Sequence, residues 1–267
     1  MPSDALYIDQ IGREVTITFS PQRIISLVPS KTELLFDLGL ADNIVGITKY
    51  CTNPVSEIKS KTKIGGTKLL DIELIKKLKP DLIIANKEEN EQSQVEELSK
   101  YFPVWVSDIA DLDQSLQMIQ SVALITNKEE LGNELIHRIS SSFQQLTPLQ
   151  RSFSVAYFIW RKPYMLAGND TFINDMLVRC GLENVVKTPR YPEIGLEKIF
   201  DIKPDVILLP SEPYPFKQKH IDELKLWLPD TQMYMVDGEL FSWYGSRLQY
   251  SAAYFKLLID RIKTQTT

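Results

Sequence analysis

Residues 127–145 read NKEELGNELIHRISSSFQQ and predict one amphipathic helix near the middle of the chain. Asn127 is expected to cap its first turn together with Glu130, and Thr147-Pro148 ends it. At about 1.5 Å per residue the helix spans roughly 30 Å, enough to run from one globular half to another. An ordinary surface helix would have the same pattern, so the flanking segments are needed to show whether this helix joins two lobes. Its apolar face, spaced by three or four positions, comprises Leu131, Leu135, Ile136, Ile139, Phe143 and Leu146.

A twelve-residue pattern occurs on each side of this helix. Residues 72–83 read IELIKKLKPDLI and residues 196–207 read LEKIFDIKPDVI. Each copy predicts a short helix ended by proline, followed by an unbroken apolar strand that is typical of a parallel sheet buried on both faces. A unit that recurs only once, at this long separation, indicates two similar lobes rather than a solenoid.

These patterns predict an α/β fold of two similar lobes with mostly parallel sheets, joined by a single long interdomain helix. The N-terminal lobe is expected over residues 1–125, the interdomain helix over 126–148 and the C-terminal lobe over 149–267. Strands that alternate with helices along both halves support this architecture.

Composition excludes several classes of function. The 267-residue chain is 43% hydrophobic and 24% charged, with a net charge of −5 and a pI near 5.3. A nucleic-acid surface needs clustered Lys and Arg, so no nucleic-acid partner is expected. No apolar run reaches the roughly 20 residues of a membrane helix, and residues 1–19 lack signal-peptide organisation. The chain would either stay in the cytoplasm or begin after a removed signal.

The residue types that most enzymes and metal sites need are sparse. The two histidines, His137 and His220, are expected to be solvated, the second in a loop. No zinc pattern, Ser-His-Asp triad, GxGxxG or Walker loop is present, so neither a metal nor a cofactor is expected. Cys51 and Cys180 would be free thiols in different lobes, and a nucleophilic Cys51 is the minor alternative. An enzyme is therefore not favoured.

Aromatic and polar side chains follow the predicted strands in both lobes. Ligands of open α/β sheets bind at the carboxyl ends of the strands, and a cleft between facing lobes would hold a flat or bulky ligand by stacking. Trp243-Tyr244 is expected in a loop with Phe241, which favours ligand contact over core packing; for the other aromatics a core position is equally consistent. The candidate ligand-binding residues are Tyr50, Asn86 and Lys87 from the first lobe, and Trp160, Tyr164, Tyr191, Trp243, Tyr244 and Arg247 from the second.

Five segments, in order, resemble the class III substrate-binding proteins of ABC importers, which bind cobalamin, haem or iron siderophores and have a helical interdomain backbone. The resemblance covers residues 12–262 and implies a ligand held between two lobes, with small opening motions. We expect a monomer whose partners are that ligand and an ABC permease dimer. The segments are RIISLVPSKTELLFDLGLADNIVGIT (23–48), IELIKKLKPDLIIA (72–85), AGNDTFINDMLVRCGLENV (167–185), LEKIFDIKPDVILL (196–209) and SRLQYSAAYFKLL (246–258).

The resemblance also implies a docking contact. In the cobalamin-binding members a glutamate on each lobe docks into arginines of the permease, and the matching positions are Glu73 and Glu197. A first-turn glutamate that complements the helix dipole would explain the same residues.

The chain departs from the family pattern at several positions. Of the cobalamin-binding aromatic cage, Tyr50, Tyr191 and Trp243 fit, whereas Thr67 and Asn86 stand where tryptophans are expected. Cys180 matches a position that is disulfide-bonded in some relatives, but the partner position holds Lys256.

We therefore predict a substrate-binding protein that binds a corrinoid (cobalamin-like) or iron-chelate ligand and delivers it to a permease. It would be periplasmic or envelope-associated if a signal was removed, and cytoplasmic otherwise. The first alternative is an intracellular carrier of the same fold, which an upstream lipoprotein or Sec signal would exclude. The second is a chelatase-like enzyme, which would need a cluster of metal-binding His or carboxylate side chains in the cleft.

Overall fold

The computed structural model describes residues 4–264 and divides into two compact units. The first unit contains the chain up to Ile109, with Asp113–Arg138 and Tyr244–Arg247. The second contains Ala110–Leu112, Ile139–Trp243 and the chain from Leu248 onward. The outer ends of the predicted lobes, residues 1–3 and 265–267, lie outside the described residues.

The first unit contains a parallel sheet and a separate antiparallel hairpin. The hairpin pairs β1 (Asp4–Ile8) with β2 (Glu14–Thr18). The sheet consists of β3 (Ile24–Ser26), β4 (Ile44–Ile47), β5 (Thr62–Lys63), β6 (Leu82–Asn86) and β7 (Val104–Ser107), in the spatial order β5-β4-β3-β6-β7. The helices are α1 (Pro29–Asp37), α2 (Ile72–Leu78), α3 (Gln92–Ser99), most of α4 (Leu112–Ile125) and the first part of α5 (Glu129–Gln144).

The second unit is built on another parallel sheet. Its strands are β8 (Phe153–Trp160), β9 (Met165–Leu166), β10 (Leu182–Asn184), β11 (Val206–Pro210) and β12 (Gln232–Val236). The spatial order is β10-β8-β11-β12, all parallel, and β9 pairs antiparallel with β8. Its helices are the rest of α5, α6 (Phe172–Arg179), α7 (Leu196–Ile202), α8 (Gln218–Lys225), α9 (Gly238–Ser242) and α10 (Leu248–Thr264). The predicted α/β class with mostly parallel sheets is confirmed.

The two copies of the repeated pattern adopt the same local structure. Helices α2 and α7 each span seven residues and end at a lysine in the left-handed conformation. The φ and ψ angles are 46° and 62° at Lys79, and 48° and 65° at Lys203. The proline that follows each lysine cannot continue a helix, and a fully buried strand comes next. The repeat is therefore one helix–strand unit in each sheet.

The aspartate of each copy fixes the start of the neighbouring strand. The carboxylate of Asp81 accepts a hydrogen bond from the backbone N–H of Arg23, just before β3. In the second unit, the carboxylate of Asp205 accepts hydrogen bonds from the N–H and the hydroxyl of Ser154, at the start of β8. Because each side chain bridges two adjacent strands, the Lys-Pro-Asp pattern stabilises sheet register as well as ending the helix.

The predicted central helix is present as α5, but the predicted role of Asn127 was wrong. Asn127 has φ 56°, and the next residue, Lys128, donates its N–H to the Ala123 carbonyl at 2.7 Å. This is the bonding of a helix C-terminal cap, so Asn127 ends α4 rather than starting α5. The division between the units falls inside α5, between Arg138 and Ile139.

Two segments predicted as loops are helical. His220 lies in α8, and Phe241 lies in the short helix α9 that precedes Trp243. Asp237 caps α9 by accepting the backbone N–H of Glu239. Aspartate is a common residue at the start of a helix, but the aromatic residues that follow led to the prediction of a loop.

Candidate functional site

The carboxyl ends of the parallel strands in each unit carry most of the candidate residues. In the first unit, Tyr50 follows β4, Asn86 ends β6 and Lys87 comes next. In the second, Trp160 ends β8 and Tyr164 lies between β8 and β9. Open α/β sheets bind ligands at this edge.

Tyr50 is the exposed aromatic candidate of the first unit. Its side chain is 55% exposed, and the ammonium of Lys49 lies 5.2 Å from the ring centroid. The ring also packs on the backbone at Gly66, where an added Cβ would lie only 2.9 Å from the ring. Glycine at this position therefore makes room for the ring, which stays more than half exposed.

The two polar candidates beside β6 differ in availability. Lys87 is exposed and forms an ion pair with Asp108. Asn86 is buried, and its amide nitrogen donates to the carbonyl and hydroxyl of Ser107 at 3.1 and 3.0 Å. The side-chain oxygen of Asn86 accepts two backbone N–H groups at 3.0 Å, from Glu88 and Glu89. Asn86 thus shapes the turn after β6 with all of its polar side-chain atoms.

Arg247 belongs to the first unit, although the sequence placed it in the second lobe. Its guanidinium contacts both carboxylate oxygens of Glu33, at 3.0 and 2.8 Å, and both side chains are largely buried. A bidentate pair of this kind is among the strongest side-chain hydrogen-bonded contacts. The guanidinium is therefore already neutralised.

Sequence reasoning missed a buried lysine in the same unit. Lys31, in the first turn of α1, is fully buried, and its ammonium lies 4.1 Å from the ring centroid of Tyr244. The ammonium makes no hydrogen bond to any described residue. Burial holds the pKa of Lys31 well below its ordinary value, and attraction to Glu89 offsets only part of this. Lysine is rarely buried, so nothing in the sequence indicated this contact.

Trp243 and Tyr244 lie in a loop between α9 and α10, as expected, and both are buried. The indole N–H of Trp243 donates to the carboxylate of Glu212 at 3.0 Å, and Ser242 donates to the same oxygen at 2.8 Å. The neighbouring Phe241 is completely buried. The contact of Trp243 and Tyr244 with a ligand stays a prediction.

The exposed aromatic candidate of the second unit is Trp160, at 41%. A residue missed by the sequence reasoning, Tyr214, packs edge-on against it, with centroids 5.4 Å apart. Tyr164 is partly buried against Phe158, with centroids 5.5 Å apart, and its hydroxyl accepts a hydrogen bond from Arg161 at 3.3 Å. Tyr191, also partly buried, lies in the segment before α7.

The expectation of a solvated His220 was wrong. The ring is 3% exposed, and its Nδ1 accepts the backbone N–H of Lys217 at 2.9 Å. Burial, with the nearby positive charge of Arg161, lowers the pKa of His220. The imidazole therefore caps α8 in its neutral form.

The two candidate docking glutamates occupy equivalent exposed positions. Glu73 lies in the first turn of α2 with its side chain 77% exposed, 3.3 Å from the ammonium of Lys76. Glu197 lies in the first turn of α7 and is also exposed. Both carboxylates complement a helix dipole and face solvent.

Both cysteines are free, buried thiols, one in each unit, as predicted. The Cys51 sulfur lies 3.2 Å from the Thr32 hydroxyl. Burial raises the pKa of Cys180 to about 12.

No helix within residues 4–264 is long and apolar enough to cross a membrane. Over the same residues, no three His, Cys, Asp or Glu side chains are grouped as metal ligands.

Comparison with known proteins gives consistent matches. The periplasmic binding protein family matches residues 24–227. The uncharacterised ABC transporter substrate-binding lipoprotein YvrC of Bacillus subtilis is 26% identical over 259 residues, covering 90% of this chain and 80% of YvrC. The structure of the periplasmic vitamin B12 binding protein BtuF of Vibrio cholerae matches with a TM-score of 0.77 at 21% identity, over 92% of this chain and 100% of that one. A structure described as a possible iron-binding, periplasmic solute-binding protein of Staphylococcus epidermidis matches with a TM-score of 0.74 at 26% identity, over 91% and 99%.

The family match includes both copies of the repeated helix–strand unit, as well as β4 and β8, whose carboxyl ends carry the exposed aromatics Tyr50 and Trp160. The structural matches have the same α/β architecture over nearly the whole chain. The resemblance drawn from the sequence is thereby confirmed. This chain belongs to the periplasmic binding protein family, among the class III substrate-binding proteins.

Proposed function

We propose that this protein is the substrate-binding component of an ABC importer for a corrinoid or an iron chelate. One observation carries the proposal: each unit exposes an aromatic side chain at the carboxyl ends of its parallel strands, Tyr50 in the first and Trp160 in the second. Relatives named for vitamin B12 and iron binding support this choice of ligand class. We place its action outside the cytoplasmic membrane, as for its periplasmic and lipoprotein relatives.

The candidate residues divide into two roles. We assign ligand contact to the exposed and partly buried side chains Tyr50, Lys87, Trp160, Tyr164 and Tyr191. Aromatic rings would stack on the ligand, and Lys87 would approach an anionic group. We assign a supporting role to Asn86 and the largely buried Arg247, whose bonds within the protein hold the surrounding backbone. For the buried Trp243 and Tyr244, ligand contact remains the prediction. Glu73 and Glu197 are the proposed contacts to the permease.

Titration with candidate ligands tests the proposed function. Native mass spectrometry and absorbance would follow binding of cyanocobalamin, haemin, a ferric tris-catecholate and a ferric tris-hydroxamate. We expect at least one dissociation constant below about 1 μM. Binding weaker than about 100 μM for all four would overturn the proposal.

A matched pair of variants makes the test specific. Tyr50→Ala should weaken the binding of the ligand so identified by about 5- to 50-fold, because a stacking surface is lost. Tyr101 is the control, since it is 54% exposed and also lies under a lysine, with the Lys76 ammonium 4.2 Å from its centroid. Tyr101 precedes β7, at the amino end of that strand, so Tyr101→Ala should leave binding unchanged.

A further inference from the structure

Tyr214 and Trp160 form an exposed pair of rings in the second unit, here called the aromatic corner. Trp160 ends β8, and Tyr214 follows the end of β11. These two strands are adjacent and parallel, so the side chains beyond their carboxyl ends meet. The ring planes are inclined by 74°, with centroids 5.4 Å apart, and both side chains are partly open to solvent.

Buried rings hold the aromatic corner in place. Tyr214 packs against Phe216 at a centroid distance of 4.7 Å and against His220 at 5.7 Å. Phe216 in turn packs on Phe158 of β8 at 6.0 Å, and both phenylalanines belong to the hydrophobic core of this unit. A surface whose rings are fixed before binding loses little conformational entropy when a ligand stacks on it.

The surroundings of the aromatic corner carry more positive than negative charge. Arg161 follows Trp160 directly, and its guanidinium interacts with the hydroxyls of Tyr164 and Tyr214. The positive charges of Lys217 and Lys219, like that of Arg161, lower the pKa of the neighbouring His220. Glu223 is paired with Arg161, whereas Glu212 accepts the neutral indole N–H of Trp243 and keeps its negative charge. The two lysines therefore leave a small positive excess among these residues. An anionic ligand would therefore be favoured here.

We propose that the aromatic corner binds the flat conjugated face of an anionic ligand, and that Tyr214 is a specificity-determining residue for it. This inference rests on the proposed function and narrows its ligand class. Two sources share the required chemistry: haem, a porphyrin with propionates, and a ferric aryl chelate of the tris-catecholate type. A neutral chelate without aromatic rings would neither stack on the two rings nor be attracted by the positive charge.

The experiment compares haemin and a ferric tris-catecholate with a neutral ferric tris-hydroxamate and cyanocobalamin. We expect wild-type protein to bind haemin or the tris-catecholate at least about 10-fold more tightly than the other two compounds. Which of the two binds identifies the source of the ligand. Rising salt should weaken the preferred complex, because the attraction is partly electrostatic.

Variants of the aromatic corner test the role of each ring. Trp160→Ala and Tyr214→Leu should each weaken the preferred ligand by about 5- to 50-fold with little change in melting temperature. Tyr214→Phe keeps the ring and should bind within about 2-fold of wild type. The control is Trp227→Ala. Trp227 is 66% exposed and stacks on Phe200, but it precedes β12, at the amino end of that strand.

The outcomes separate this inference from the proposed function. If none of the four compounds binds, the proposed function fails. If the protein prefers cyanocobalamin or the tris-hydroxamate, the proposed function stands and the aromatic-corner assignment is wrong. The assignment is also wrong if Trp160→Ala and Tyr214→Leu bind haemin and the tris-catecholate as wild type does, or if Trp227→Ala weakens them equally.

Discussion

Lys31 shows at the scale of one residue how far burial changes chemistry. Its ammonium lies against the Tyr244 ring, with no hydrogen bond to any described residue. The nearby Glu89 is partly buried, and this burial raises the pKa of its carboxyl group. When two opposite charges are buried, their attraction for each other can be smaller than the hydration free energy that both of them lose. Lys31 is therefore expected to reduce stability.

We predict that Lys31→Met raises the free energy of unfolding by about 1–3 kcal/mol near pH 7, measured by urea denaturation. The gain should shrink as pH rises towards about 10. The folded pKa of Lys31 lies well below its unfolded value of about 10.4. Between those two values the unfolded chain binds the additional proton, so wild-type stability increases with pH across that window. The variant lacks this increase.

Lys49→Met is the matched control for Lys31. Lys49 also lies over a tyrosine ring in the first unit, but it is exposed. Its replacement should change stability by no more than about 0.5 kcal/mol at either pH. A loss of stability in Lys31→Met, or a gain that does not depend on pH, would contradict this account.

The sequence identified which residue types follow the strands, but not which side chains remain exposed. The sequence favoured Trp243 over Trp160 as a ligand contact, yet of these two only Trp160 is exposed. The difference arises from Glu212, 31 positions before Trp243, which accepts its indole N–H. Such a contact depends on the packing of distant segments, and no local pattern reports it. Tyr214 was missed for the same reason.

At the scale of elements, the Lys-Pro-Asp pattern was the most informative part of the sequence. Proline ended both helices where expected, and the apolar runs became the buried strands β6 and β11. Less predictable was the cap at Asn127, because asparagine suits both the start and the end of a helix. The short strands β9 and β10 also escaped notice, since two or three residues carry too little periodicity.

Lys79 and Lys203, at the ends of α2 and α7, have left-handed backbone conformations that lower the stability of the fold. Glycine at these positions would remove this strain. Lys79→Gly should raise the unfolding free energy by about 0.5–1 kcal/mol, because a side chain is unfavourable at φ 46°. Lys77→Gly, two positions earlier and inside α2, should instead lower it by about 1 kcal/mol. Urea midpoints for the two variants give the comparison. Equal losses would show that the Lys79 side chain makes a compensating contact.

At the scale of the whole molecule, the duplicated unit presents one exposed glutamate in each half. Glu73 and Glu197 occupy the same position of the same motif, at the first turns of α2 and α7. Two equivalent carboxylates suit a partner that itself contains two equivalent subunits, such as a permease dimer. Alternatively, the two glutamates stabilise only their own helices through the helix dipole, and no partner is involved. Charge reversal distinguishes this explanation from docking.

Double charge reversal, Glu73→Lys with Glu197→Lys, should weaken binding to the permease by at least about 10-fold while ligand affinity stays unchanged. Surface plasmon resonance on reconstituted permease and ligand titration measure the two quantities. Reversal of two other exposed glutamates, Glu96 and Glu183, is the control and should affect neither. If ligand affinity falls with permease binding, the two glutamates serve the units themselves.

The segment Tyr244–Arg247 belongs to the first unit but comes near the end of the chain. It supplies the ring that covers Lys31 and the guanidinium that pairs with Glu33. On the ribosome it is made roughly a hundred residues after Arg138, a delay on the order of ten seconds at usual rates of translation. The first unit therefore cannot reach its final form until residue 247 has been synthesised. A chain released before Tyr244 is made lacks the ring over Lys31 and the guanidinium against Glu33, so its first unit is incomplete.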